Sequence, residues 1–113
     1  MIGIDIEEIA RFERMYARKP RLVKRLFSLY EWQYANAKSK PPQTLAGFWC
    51  AKEAVVKAVS AIQVLSIHDV HITHASNGAP LVTIVNPQFT DSFKVQVSIA
   101  HSKHQATAIA MIV

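Results

Sequence analysis

Asp5 and Glu53 stand among apolar neighbours on segments whose patterns predict largely buried elements. A buried carboxylate is costly unless a cation or metal ion offsets it. Two carboxylates from different elements suit a hard, oxygen-seeking ion such as magnesium, which commonly takes one or two of them and completes its shell with water and substrate phosphates. Spacing alone also allows a plainer arrangement, with Glu53 paired to Lys57 at i, i+4 and Asp5 capping the helix after it. Among the histidines, His68, His71 and His74 look like a ligand cluster. On a strand, however, His68 and His74 would share a face with Val70 and Ile72 while His71 points away, so they cannot converge on zinc without another element. His101 falls at a predicted strand end beside Ser102 and Lys103, where a polar side chain and free backbone donors could meet an anion. Nothing places a base or a positive dipole beside Cys50, which reads as a small buried residue rather than a nucleophile. Glycine occurs only at positions 3, 47 and 78, too few for a glycine-rich phosphate cradle, and no Walker loop, dinucleotide fingerprint or nucleophile elbow is present.

The elements that must position these residues follow from periodicity. Ile2, Ile4 and Ile6 alternate with Gly3 and Asp5, predicting a short strand that ends at Asp5, with Asp5 on the face opposite the isoleucines. From Glu7 the period becomes helical through Ile9, Phe12 and Met15, and Pro20 stops that helix near Lys19. Leu22, Val23, Leu26 and Phe27 make a second short helical pattern. Ser28-Leu29-Tyr30-Glu31 has capping-box spacing and predicts a third helix over 29–38. Thr44 is the expected N-cap of the longest helix, Leu45 to about Ile62, with Leu45, Phe48, Trp49, Val55, Val56 and Val59 on its apolar face and Ala46, Cys50, Glu53 and Lys57 on the adjacent stripe. Period-two patterns then predict a strand through Val70 and Ile72, an Asn77-Gly78 hairpin turn into Leu81–Val85, a strand carrying Phe93, Val95, Val97 and Ile99 to His101, and a last strand Gln105–Val113. The expected fold is α+β, one long helix packed on a small, mainly antiparallel sheet.

A chain of 113 residues, half of them hydrophobic and 19% charged, fits one domain spanning residues 1–113 and gives no case for global disorder. The formal net charge is +5, and it is local. Residues 11–25 hold Arg11, Arg14, Arg18, Lys19, Arg21, Lys24 and Arg25 against Glu13 alone, an excess of six, which leaves −1 for the remainder. Such a segment could be a solvated face, a nucleic-acid patch or a docking surface for an acidic protein. Of the aromatics within it only Tyr16 is free of the predicted core stripe, which argues against nucleic acid. One cysteine cannot form an internal disulfide and no basic-then-apolar leader opens the sequence, so a reduced, cytoplasmic setting is expected. The apolar run Ala106–Val113 has eight residues against the roughly 20 that span a bilayer, so no membrane association is expected.

Three stretches, in order, resemble the holo-acyl-carrier-protein synthase group of 4′-phosphopantetheinyl transferases: Gly3-Ile4-Asp5-Ile6-Glu7-Glu8-Ile9-Ala10-Arg11, then Ala46-Gly47-Phe48-Trp49-Cys50-Ala51-Lys52-Glu53-Ala54-Val55-Val56-Lys57-Ala58, then Val97-Ser98-Ile99-Ala100-His101-Ser102-Lys103. Phe27-Ser28-Leu29-Tyr30-Glu31 and Asn77-Gly78-Ala79-Pro80 also match family patterns. The resemblance covers nearly the whole chain. It implies transfer of the phosphopantetheine arm of coenzyme A to a serine of an apo acyl carrier protein, with release of adenosine 3′,5′-bisphosphate, as in fatty acid biosynthesis. By the same resemblance Asp5 and Glu53 would hold magnesium on the coenzyme A diphosphate, and Lys57 would neutralise phosphate charge or protonate the leaving group, with Lys52 in support. Glu53 or a metal-positioned water would deprotonate the serine. His101, Ser102 and Lys103 would meet the 3′-phosphate with help from Lys40, and Asn77, Gly78 and Pro80 would shape the adenine pocket. Arg11, Arg14, Arg18 and Arg21 would dock the acidic carrier, and the chain would assemble as a homotrimer with sites between subunits.

The sequence departs from the family pattern in three ways. Phe48 stands where arginine is common, the loop from Val59 to Leu65 is short and lacks glycine, and the chain is at the short end for the family. These departures motivate an alternative, a catalytically impaired relative that binds coenzyme A or a carrier without transfer.

Overall fold

The computed structural model describes residues 1–89 and 94–113. In chain order it forms strand β1 (Ile2–Glu8), helices α1 (Ile9–Arg18), α2 (Pro20–Lys24), α3 (Leu29–Asn36) and α4 (Pro41–Val59), a 3-10 turn at Ile67–Asp69, and strands β2 (Val70–His74), β3 (Pro80–Ile84), β4 (Val95–His101) and β5 (Gln105–Ile112). The α+β expectation holds, and every pairing is antiparallel. The strands divide into two sheets, ordered β1-β5-β4 and β2-β3, rather than forming one. A cleft of about 950 Å³ opens between β3 and β4, with Pro80, Val82, Val95 and Val97 among its walls. Phe93, expected on the strand that leads to His101, lies outside the described residues.

The orientation of β1 decides which of its side chains meet α4. Ile2, Ile4 and Ile6 do share a face, but it is the outer one, where they are 61%, 63% and 59% exposed. Gly3, Asp5 and Glu7 occupy the inner face, and the strand continues through Glu8 instead of ending at Asp5, so α1 begins at Ile9 and Glu7 is a strand residue. In register, Gly3, Asp5 and Glu7 pair with Ala110, Ala108 and Ala106 of β5, and these pair with Val97, Ile99 and His101 of β4. Three buried alanines in the middle strand let α4 lie close on the sheet. Gly3 brings it closer still: a Cβ there would stand 2.0 Å from the Ala54 carbonyl oxygen and 2.7 Å from the Ala58 nitrogen. Both are backbone atoms, so one element must move. Gly3→Ala should therefore cost roughly 1–3 kcal/mol of stability, read as a lower melting temperature; an unchanged melting temperature would contradict this packing.

Helix α4 starts earlier than its apolar pattern suggests. Lys40 takes the N-cap position without a side-chain bond and Pro41 stands at the first helical position, where its missing N–H costs nothing. Thr44 is therefore inside the helix, not its cap. The helix ends at Val59 without glycine, closed by Ser60 Oγ donating to the Lys57 carbonyl at 2.7 Å and by the Ile62 N–H donating to the Val59 carbonyl at 2.8 Å. The capping box of α3 forms as predicted, with Glu31 N–H donating to Ser28 Oγ at 3.2 Å and Ser28 N–H donating to Glu31 Oε1 at 2.8 Å. Its helix stops at Asn36, short of Lys38. At the β2–β3 turn, Gly78 takes a φ of +89°, which a side chain would strain.

Candidate active site

Helix α4 crosses β1 where Asp5, Glu53 and Lys57 lie. Lys57 Nζ stands 3.2 Å from Asp5 Oδ1 and donates to the Ile4 carbonyl at 3.0 Å, tying the ammonium to strand and carboxylate together. Thr107 Oγ1 donates to the Asp5 carbonyl at 2.8 Å and steadies the strand from β5. The plainer arrangement does not form: Lys57 turns to Asp5 rather than Glu53, and the N-cap of α1 is Glu8, with no side-chain cap. Among the described residues Glu53 makes no ion pair. Burial first and the charge of Asp5 second push its carboxyl above the usual glutamate range; Lys57 offsets part of this and Glu7 adds to it. Cys50, one turn earlier on α4, is held protonated by the same surroundings. Burial and then the charge of Asp5 push its thiol up to about 12, and Sγ donates to the Ala106 carbonyl at 3.4 Å, which agrees with a structural role.

This donor set fits a hard cation. Burial and the charge of Asp5 raise the cost of ionising Glu53, and a divalent ion between the two carboxylates would relieve it. Among the described residues no three His, Cys, Asp or Glu side chains converge as a ready-made cage. Asp5 and Glu53 would thus supply part of a magnesium shell, with water and substrate oxygens as the rest.

The other expected site residues separate into groups. His101 ends β4 on the register row of Ala106 and Glu7, and Gln43 Nε2, from the first turns of α4, lies 2.9 Å from His101 Nδ1. That contact joins the start of α4, just after exposed Lys40, to the β4–β5 turn, where Ser102 and Lys103 are exposed and Ser102 Oγ accepts the Gln105 N–H at 3.2 Å. Asn77, Gly78 and Pro80 belong to the second sheet's hairpin, where Asn77 Oδ1 accepts the Ala79 N–H at 3.0 Å. Among the described residues no hydrogen bond or ion pair joins this hairpin to Asp5, Glu53 or Lys57. Lys52 is a correction. It points to another face of α4, only 1% exposed, with Nζ 2.7 Å from Glu31 Oε1, so almost none of it is free for coenzyme A.

Phe48 is also explained by packing. It is fully buried, with ring centroids 5.6 Å from Tyr34 and 5.8 Å from His74, so this position serves the core and not the surface charge. His74 stacks on Tyr34 at 4.1 Å, while His68 sits in the 3-10 turn, off the strand expected for it, with Nε2 2.9 Å from the Arg25 carbonyl oxygen. Arg14, Arg18 and Arg21 are exposed along α1 and α2, and a cup of about 440 Å³ lined by Arg18, Arg21, Leu22 and Arg25 opens between them. Arg11 differs, being ion-paired to Glu7 at 2.7 Å. Sequence reasoning misses two residues here. Glu7 is signalled by the period-two run Gly3-Asp5-Glu7, two residues longer than the strand assigned; Gln43 carries no signal in a polar stretch.

Residues 1–111 match the profile of the 4′-phosphopantetheinyl transferase superfamily. The holo-[acyl-carrier-protein] synthase of Caldicellulosiruptor bescii is 37% identical over 115 aligned positions, covering 97% of this chain and 94% of that protein. The corresponding protein of a Nitratiruptor species is 38% identical over 121 positions, covering 100% and 98%. The crystal structure of Helicobacter pylori holo-[acyl-carrier-protein] synthase in complex with coenzyme A aligns over all of both chains with a TM-score of 0.84 at 33% identity. Fold, ordered motifs and full-length similarity agree, and the chain belongs to the 4′-phosphopantetheinyl transferase superfamily.

Proposed function

We propose that this chain moves the 4′-phosphopantetheine arm of coenzyme A onto a serine of an apo acyl carrier protein, leaving adenosine 3′,5′-bisphosphate. The observation that carries this reading is the Asp5–Glu53 carboxylate pair with Lys57 beside it, in a chain similar along its whole length to holo-[acyl-carrier-protein] synthases. Asp5 and Glu53 would hold magnesium, which as a Lewis acid would draw charge from the coenzyme A diphosphate. Lys57, anchored by the Ile4 carbonyl, would place positive charge where the leaving phosphate develops negative charge. The raised carboxyl of Glu53 suits it to accept the serine proton, directly or through a bound water. His101, Ser102, Lys103 and Lys40 gather at one end of α4 and would hold the 3′-phosphate.

The remaining pocket residues, Asn77, Gly78 and Pro80, would reach coenzyme A from a neighbouring copy. Support for assembly comes from the outer face of the first sheet, where exposed Ile2, Ile4 and Ile6 stand beside exposed Ile109 and Met111 of β5. A contiguous apolar strip of this kind is characteristic of an interface. A homotrimer with sites between subunits is the expected assembly. Sedimentation should give a trimer, and Ile4→Glu should give a monomer that has lost transfer; a monomeric, active wild-type chain would remove the shared site.

Exposed Arg14, Arg18 and Arg21 would dock an acidic carrier, acting mainly on encounter rate and register. Arg14→Glu with Arg18→Glu should raise the carrier KM about 10-fold or more, with the KM for coenzyme A little changed; equal effects on both would undo this division. The direct test is incubation with coenzyme A, magnesium and apo carrier, and then weighing the carrier. A gain of one phosphopantetheine arm supports transfer. Tight coenzyme A binding with no gain on several carriers would favour an impaired relative instead. The carrier expected is that of fatty acid biosynthesis, in a cytoplasmic setting without nucleic acid or membrane.

A further inference from the structure

Glu7 is an inner-face carboxylate of β1 to which the transfer reaction assigns no role. It comes after Asp5 at i+2, so both point to the same side of the strand. It pairs with Ala106, whose carbonyl also accepts the Cys50 thiol, and this places Glu7 next to the Asp5–Glu53 pair on the side toward α1. Its carboxylate is already engaged: Arg11 Nη1 donates to both oxygens, at 2.7 and 3.0 Å. The Glu7 side chain keeps 14% of its surface and the Arg11 side chain 56%, so the pair has one member in the site and the other on the basic face.

We propose that Glu7 is a positioning residue coupling carrier docking to the metal site: in the free chain it holds Arg11, and a divalent cation at Asp5 and Glu53 draws its carboxylate inward and releases Arg11 to an acidic carrier. This rests on the function proposed for Asp5, Glu53 and the basic face. The basis is competition for one guanidinium and one carboxylate. An arginine matched by its own carboxylate has less charge for a partner, and a half-exposed pair of this kind is weak enough to exchange. The cation competes with Arg11 for Glu7, and the carrier competes with Glu7 for Arg11, so each ligand eases binding of the other. The coupling must be reciprocal.

The test measures binding, not turnover. Titrate an apo carrier whose acceptor serine is replaced by alanine into the chain at saturating coenzyme A, with and without magnesium chloride at constant ionic strength. Magnesium should tighten carrier binding about threefold in the wild type. In Glu7→Gln, binding without magnesium should already be tighter by about the same factor, and magnesium should add little. Arg11→Gln should bind the carrier more weakly and likewise lose the magnesium dependence. No tightening in the wild type, or equal tightening in wild type and Glu7→Gln, would overturn the coupling and leave the transferase reading standing. A wild-type chain that binds no carrier would overturn both.

Discussion

Asp5→Asn and Glu53→Gln should each reduce phosphopantetheine transfer by about 10³-fold or more while the fold stays intact. Each substitution keeps the shape of the side chain and removes one anionic oxygen from the carboxylate pair proposed to hold the cation. Neither should destabilise the protein. Glu53 is held above the ordinary glutamate range by burial and by Asp5, so its ionised form costs the folded state free energy, and the amide removes that cost. A raised native pKa means the folded chain binds the proton more tightly than the unfolded one, so stability falls as pH climbs from the ordinary glutamate value of 4.5 through the raised value. Thermal melts without magnesium should show this loss in the wild type and a flatter profile in Glu53→Gln. Magnesium favours the ionised carboxylate and should move the acid limb of the transfer rate to lower pH. Full activity in either variant would remove the metal assignment; a wild-type acid limb indifferent to magnesium would separate Glu53 from the ion.

Lys52→Ala should cost roughly 3–5 kcal/mol of stability, a large fraction of what holds a domain of this size together. The residue beside Glu53 in sequence has a different task. Lys52 Nζ lies 2.7 Å from Glu31 Oε1, with both side chains almost wholly inaccessible. Glu31 also accepts the Ser28 N–H at 2.8 Å and the Ile72 N–H at 2.7 Å, so one carboxylate ties α3, α4 and β2. Burial presses the Lys52 pKa below the usual lysine value, and Glu31 works against that shift. Removing the cation strands a buried carboxylate; replacing the pair together, as Lys52→Met with Glu31→Gln, should recover much of the loss, because no uncompensated charge remains. Calorimetric melting of the single and double variants decides this. A double variant no more stable than Lys52→Ala would mean that the helix contacts, and not the charge balance, are at stake.

Much of this architecture is legible from local patterns. The Ser28–Glu31 capping box, the Asn77-Gly78 turn and the last strand depend on a few neighbouring residues each, and they form as predicted, as does the strand to His101 from Val95 onward. Element ends are less legible where two signals overlap. Glu7 and Glu8 suit the start of a helix as well as the end of a strand, and pairing with Ala106 and Gln105 across the sheet settles them as strand. Pro41 starts α4 before Thr44 because a proline at the first helical position needs no cap for its missing N–H.

The candidate site shows the same division. Residue types and spacing make Asp5, Glu53 and His101 candidates, but spacing alone equally allows a Glu53–Lys57 pair and a structural histidine, and it is the family resemblance that gathers them into one expected site. Which residues share that site depends on faces, and a face has meaning only once elements pack. Lys52 and Glu53 are adjacent in sequence yet serve different faces of α4, one locked to Glu31 and the other set against Asp5, because successive helix residues diverge by about 100°. Alternation puts Ile2, Ile4 and Ile6 on one face of β1, but it cannot say that this face is the outer one. That is decided by Gly3, the one residue of the strand small enough to let the α4 backbone rest on it, and in turning Gly3 inward the fold turns Asp5 and Glu7 inward as well.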